Sequence, residues 1–245
     1  MYNVIELRRY TITPGGRAHF ARYFETIFPE AFQQLGAAAL GQFCERARPD
    51  GFTWLRGYTS LGMRSAVCHA FYDGPVWAEH KGTLNRYIVD SDDVLLLRPL
   101  TPDSGLPALR AVDPVAEPRG AQGAVVAQIF KAAPGRFEAL AAAAESWFAG
   151  YRGRGLIEAG ILGTLDVPNN FPRHPVRSDG HYLVWLGVVR DDVAFDTMRP
   201  MFDNAASALA ASGLAEGQAE LVLMDPCKRS RLRWAGVPDM VACAA

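Results

Sequence analysis

Glu6, Arg8 and Tyr10 alternate along one short apolar stretch, and Trp54, Arg56 and Tyr58 alternate along another. Side chains two apart share one face of a strand. Two neighbouring strands would thus set a carboxylate, two guanidiniums, two phenols and an indole on one wall. Guanidiniums hold anionic or enolate oxygens and aromatic rings supply apolar area, so the chemistry of such a wall is capture of an amphiphilic small molecule. The same charges could instead pair with one another in a core, because buried charge needs a partner; both readings stay open.

A helix expected from Trp77 to Ile88 puts Trp77, Leu84 and Ile88 at the centre of one face and His80 and Asn85 on its flanks. His80 could then move a proton near neutral pH while Asn85 orients a substrate oxygen. The alternative is a satisfied boundary histidine and an asparagine that clamps the next turn. Arg98 suits an anionic ligand group or a salt bridge. Asp90, Ser91 and Asp92 read as a cap on the turn into the next strand rather than as a metal site. Between Val167 and Gly180 three prolines stiffen a loop carrying Asn170, Phe171 and Arg173, either a lid over a cavity or a cover for a sheet edge or a partner chain. In the catalytic scheme His80 and Asn85 do the chemistry; Glu6, Arg8, Tyr10, Trp54, Arg56, Tyr58, Trp77, Arg98, Asn170, Phe171 and Arg173 hold the substrate.

Other chemistries lack their signatures. The five histidines show no metal-ligand spacing, and there is no Gly-x-Ser-x-Gly elbow, phosphate loop or Gly-x-Gly-x-x-Gly turn. No metal and no cofactor are expected, although a single axial histidine for haem would leave no pattern. Cys44, Cys68, Cys227 and Cys243 have no Cys-x-x-Cys spacing and read as buried small hydrophobes.

The elements that must position these residues come in two copies. Pro14-Gly15 and Pro134-Gly135 each follow a strand pattern and open an amphipathic helix, at an offset of 120 residues (134 − 14). The first copy reads as strands Val4 to Ile12, Leu40 to Arg46, Phe52 to Tyr58 and Asp93 to Leu100. Its first helix carries Phe20, Tyr23, Phe24, Ile27 and Phe28 in a stripe that Pro29 interrupts, and a second helical stretch starts from a Ser60 cap and breaks at Gly74-Pro75. The second copy repeats the order, so the chain reads as α+β, two tandem ferredoxin-like (split βαβ) domains. Their limits are 1–100 and 123–234, around a proline-rich linker at 101–122, with a tail at 235–245. Each sheet has helices on one face only, so the bare faces should pack face to face as an intrachain barrel, with the polar wall lining the space between them. At the corresponding positions the second copy has Val126, Gln128, Phe130 and Gly187, so the charges are not duplicated.

Resemblance enters through Phe71-Tyr72-Asp73-Gly74-Pro75-Val76-Trp77, His80, Asn85, Asp90-Ser91-Asp92, Val94 to Pro99 and Ile5 to Tyr10, which together resemble the NIPSNAP family. Asn169 to Arg173 and Pro175 to Arg177 are similar to its bacterial two-repeat branch. Membership implies the dimeric α/β barrel superfamily, whose relatives include cofactor-free monooxygenases, isomerases and haem-binding proteins; the family itself implies no settled reaction.

A net charge of −1 gives no general attraction to nucleic acid or to anionic membrane. Met1 to Tyr10 has no secretory apolar run, and no stretch is long and apolar enough for a membrane helix. The expectation is a cytoplasmic protein with a small-molecule ligand, no nucleic-acid or membrane partner and the option of a homo-oligomer, the basic tail Lys228 to Trp234 making salt bridges either to the other half or to a second subunit. Activity as a cofactor-free oxygenase or isomerase competes with a non-catalytic binding or assembly module.

Overall fold

The computed structural model describes residues 2–154 and 156–235. Eight antiparallel strands close into one barrel in the order β1-β3-β2-β8-β5-β7-β6-β4. The first half supplies β1 (Val4–Ile12), β2 (Ala38–Glu45), β3 (Gly51–Tyr58) and β4 (Ile88–Pro99), with helices α1 (Arg17–Gln34), α2 (Leu61–Tyr72) and α3 (Pro75–Asn85). The second supplies β5 (Ala124–Lys131), β6 (Ile157–Thr164), β7 (Tyr182–Val189) and β8 (Glu220–Pro226), with α4 (Phe137–Gly153) and α5 (Asp192–Ala211). Both halves use the same order, 4-1-3-2 and 8-5-7-6, as the duplication requires. They join edge to edge along β2/β8 and β4/β6, each seam only three residue pairs long.

The barrel interior is aliphatic. Ile5, Leu7, Leu55, Leu95 and Leu97 meet Val125, Ala127, Val184, Leu186 and Val188, while Leu106 of the linker and Leu232 beyond β8 join the same core. This inverts the expected facing of the first sheet. Glu6, Arg8, Tyr10, Trp54, Arg56 and Tyr58 lie on the outer face, beneath α1 and α2, and the described interior side chains of the two sheets pack against one another. Alternation separates the two faces of a strand, but it does not say which one the helices cover. Here the wholly apolar set closes the barrel, since nothing inside it could pair a charge.

Local chemistry accounts for the remaining differences. Ser60 caps α2 by accepting from the Met63 N–H at 3.2 Å, as its sequence context predicts. Pro29 does not stop α1, which continues to Gln34. Proline has no N–H for the Glu25 carbonyl, and Arg229 Nη1 donates to that carbonyl instead. The helix after Gly74 runs from Pro75 to Asn85, not to Ile88, because Ile88 already pairs with Ile12. Asp90 to Asp92 thus belong to β4, at a register irregularity where the Asp92 N–H donates to Asp90 Oδ1 at 2.9 Å. Among the described residues no helix is long and apolar enough to cross a membrane. Cys243 and most of the expected tail segment lie outside the described residues.

Candidate functional site

On the outer face of the first sheet a fully buried ion cluster forms. Glu6 and Arg56 sit opposite each other on β1 and β3, and α2 lays Arg64 over both. Glu6 Oε2 accepts from Arg56 Nη2 at 2.5 Å and from Arg8 Nη1 at 3.2 Å, while Oε1 accepts from Arg64 Nε at 2.6 Å. Burial alone would raise the Glu6 carboxyl; Arg56, Arg8 and Arg64 override it and hold the group well below its ordinary value. One carboxylate against three guanidiniums leaves a net charge of +2 in the dry layer between sheet and helices. Arg56 also lies 4.8 Å over the Phe32 ring and 4.9 Å over Trp54, which spreads part of that charge onto aromatic faces.

The loop between β6 and β7 caps the cluster. Asn169 and Asn170 accept from Arg64 Nη1 at 3.0 and 2.7 Å, and Asn170 is tied to α2 by donating to the Leu61 carbonyl. Phe171, buried, stacks on Tyr72 and His174. His174 Nδ1 accepts from Arg8 Nη2 at 3.3 Å. Burial, then the neighbouring Arg8 and Arg56 charges, pushes this imidazole down to about 3, so it stays neutral.

Beside the cluster lies a cavity of about 100 Å³, lined by Tyr10, Trp54, Trp77, Asn85 and His174 together with the phenylalanine stripe of α1. The charges stand one side chain behind this wall. Arg8 Nε donates to the Tyr10 hydroxyl at 3.0 Å and Arg56 Nη1 to the Tyr72 hydroxyl at 3.3 Å. Two buried donors have no acceptor among the described residues, Nε1 of Trp54, a residue of the cavity lining, and Arg64 Nη2 in the cluster. A buried unpaired donor costs roughly 1–3 kcal/mol, which a ligand oxygen would remove. Among the described residues no group of three or more His, Cys, Asp or Glu side chains could hold a metal ion.

The sequence-predicted site residues therefore divide. Glu6, Arg8, Tyr10, Trp54, Arg56, Trp77 and Asn85 come together at the cluster and cavity, with Asn170 and Phe171 above them. Tyr58 is buried against Cys68 Sγ, 3.4 Å from its hydroxyl. Arg173 reaches outward to Asp73 at 2.9 Å. Arg98 donates to the Pro99 and Leu100 carbonyls at the end of β4. His80 is not among the residues lining the cavity, and its Nδ1 is 2.8 Å from the Tyr23 hydroxyl. Arg64 and Tyr72 were missed. Arg64 falls among the buried residues of α2, but a lone arginine on a helix gives no sequence signal of burial.

The corresponding layer of the second half carries no such charges at these positions. Gln128, in the place of Arg8, accepts from the Tyr151 hydroxyl and donates to the Phe202 carbonyl, both at 2.8 Å. Gly187 stands where the first half has Arg56, and a Cβ there would meet Trp185 Cη2 at 2.2 Å. The glycine lets the indole lie where the first half has a guanidinium. The charged site is single.

No family model matches the chain, and no curated protein matches it. Solved structures do. A candidate monooxygenase from Fusobacterium nucleatum aligns over 96% of this chain and 96% of its own, with 8% identity and a TM-score of 0.62. A haem-binding protein from Thermus thermophilus aligns over 94% and 93%, with 11% identity and a TM-score of 0.50. A NIPSNAP domain protein from Burkholderia xenovorans aligns over 40% of this chain and 95% of its own, with 18% identity and a TM-score of 0.37. The two full-length likenesses establish shared architecture and nothing finer: the chain has the fold of the dimeric α/β barrel proteins, with both ferredoxin-like units in one polypeptide.

Proposed function

We propose that the chain binds one small, partly apolar organic anion in the first-half cavity and is a NIPSNAP-like protein of the oxygenase or isomerase type that works without a tightly held metal. The observation that carries this reading is an aromatic cavity backed by a net charge of +2 and lined by Trp54, whose buried Nε1 has no acceptor. Positive charge in a dry site favours the ionised form of a bound acid, so a phenolate, enolate or carboxylate is stabilised there. The cavity wall carries no carboxylate, and His174 is too weak a base to take a proton in the neutral range. The fitting substrate is one that ionises readily by itself; an electron-rich enolate or phenolate held among aromatic rings is the form that reacts with oxygen or shifts a double bond. The loop from Val167 to Gly180 acts as the lid.

Haem does not fit. The cavity is a small fraction of a porphyrin's volume and the Nδ1 of its histidine, His174, is occupied by Arg8, so no step is drawn through that group. A binding or assembly module without turnover is the rival, favoured by the fact that Arg8, Arg56 and Arg64 already have protein partners.

Benzoate is the minimal probe. Titration followed by tryptophan fluorescence is expected to give one equivalent per chain. Trp54→Phe, which removes the orphan donor along with part of the ring, is expected to weaken it by at least about tenfold, the equivalent of roughly 1.4 kcal/mol. No saturable binding, or equal affinity in the variant, would overturn the assignment. Oxygen uptake or isomerisation of an acidic phenol or enol by the wild type, absent from the variant, separates turnover from simple binding.

A further inference from the structure

Cys44 and Cys227 are 183 residues apart in the chain (227 − 44) and adjacent in the barrel. On the β2/β8 seam Phe43 lies opposite Pro226 and Cys44 opposite Asp225, and the Cys227 N–H donates to the Gln42 carbonyl at 2.8 Å. Cys227 is thus the diagonal neighbour of Cys44 on the same face of the sheet, the spacing at which side chains of adjacent strands still meet. The two differ in access: Cys44 is half-buried and Cys227 is buried behind it. They also differ in acidity. The neighbouring Cys227 thiol, helped by the Arg17 charge, draws the Cys44 thiol below its ordinary value against the effect of burial, while the same neighbour and burial push Cys227 up. A reachable, more acidic thiol with a second thiol beside it has the form of an attacking and resolving pair. The third described cysteine, Cys68, is fully buried against the Tyr58 hydroxyl.

We infer that Cys44 and Cys227 are a peroxide-sensitive dithiol that closes to a disulfide across the seam between the two halves. The Cys44 thiolate attacks one oxygen of a hydroperoxide; an S–O bond forms, the O–O bond breaks, and an alcohol or water leaves with a proton. The Cys227 sulfur then attacks the Cys44 sulfenic acid, forming the S–S bond and releasing water. Overall two thiols and one hydroperoxide give one disulfide, one water and one alcohol, or two waters when hydrogen peroxide is the oxidant. A small dithiol reverses the change. The consequence is structural: a seam held by three residue pairs gains a covalent link that closes most of the chain into a loop, which constrains the unfolded state.

The test is hydrogen peroxide treatment of the full chain, with thiols counted after denaturation and the disulfide located by non-reducing peptide mapping. The four thiols of the sequence are expected to fall to two, with Cys44 linked to Cys227, and dithiothreitol is expected to restore all four. In Cys227→Ser the reaction is expected to stop at a Cys44 sulfenic acid that dimedone traps. The inference is overturned if four thiols survive, if Cys44 goes on to sulfinic acid while Cys227 stays free, or if the link forms between other cysteines.

Discussion

Glu6→Gln removes the only carboxylate that holds three buried guanidiniums together while keeping the side chain's size. At an effective dielectric of about 20, a unit pair near 3 Å is worth about 5 kcal/mol, and Glu6 makes three contacts between 2.5 and 3.2 Å. The variant forfeits those attractions and recovers only the several kcal/mol of burying the carboxylate. Mutual repulsion of Arg8, Arg56 and Arg64 is then no longer offset. Breaking a buried pair costs about 3–5 kcal/mol, and this cluster belongs at the upper end of that range. For a chain of this length each kcal/mol moves Tm by about 2–4 °C, so calorimetry at pH 7 should show a fall of about 10–20 °C. The pH dependence follows from linkage. The folded carboxyl lies below its ordinary value and the unfolded one near 4.3, so the Glu6 contribution is whole above about pH 4.5 and lost as pH falls through the folded value. The gap between wild type and variant should therefore close at acid pH. A loss under about 1 kcal/mol at pH 7 would refute the reasoning, because it would mean that water already screens the guanidiniums.

His174 should have its own signature. With His174 held at about 3 when folded and near 6.5 when unfolded, its stabilisation is present above pH 6.5 and is lost as pH falls toward 3, by at most about 1.4 kcal/mol per unit. Urea titrations at pH 7 and pH 5 should show that slope in the wild type and a shallower one in His174→Phe; equal slopes would contradict it. Arg229→Ala should cost about 2 kcal/mol by taking the donor from the Glu25 carbonyl. In a Pro29→Ala background, where a helical N–H serves that carbonyl, the cost should shrink, and a double-mutant cycle in urea measures the difference. His80→Ala should lose the Tyr23 contact, about 1 kcal/mol of stability by thermal melt, and leave benzoate affinity unchanged.

The duplication was legible because turn chemistry is local: Pro14-Gly15 and Pro134-Gly135 hold their place whatever surrounds them, and Gly15 and Gly135 both adopt positive φ. The strands of the polar wall were legible too, β1 to the residue, because alternation is a backbone property. Their facing was not. Choosing between barrel interior and helix side depends on Arg64 and on the loop after β6, and neither partner is close in sequence to Glu6. The course of α1 through Pro29 likewise depends on Arg229, two hundred residues away (229 − 29). The cysteine pair was invisible for the same reason. What the sequence did carry was the asymmetry between halves, since Gln128 and Gly187 cannot rebuild the charge of Arg8 and Arg56.

A crystal soaked with 4-bromobenzoate tests the central claim most directly, because the anomalous signal of bromine locates the ligand without assumption. The prediction is one bromine per chain, inside the Tyr10, Trp54, Trp77 and His174 cavity, with the carboxylate in reach of Trp54 Nε1. Bromine in the barrel interior or beneath the helices of the second half, or none in either layer, would contradict it.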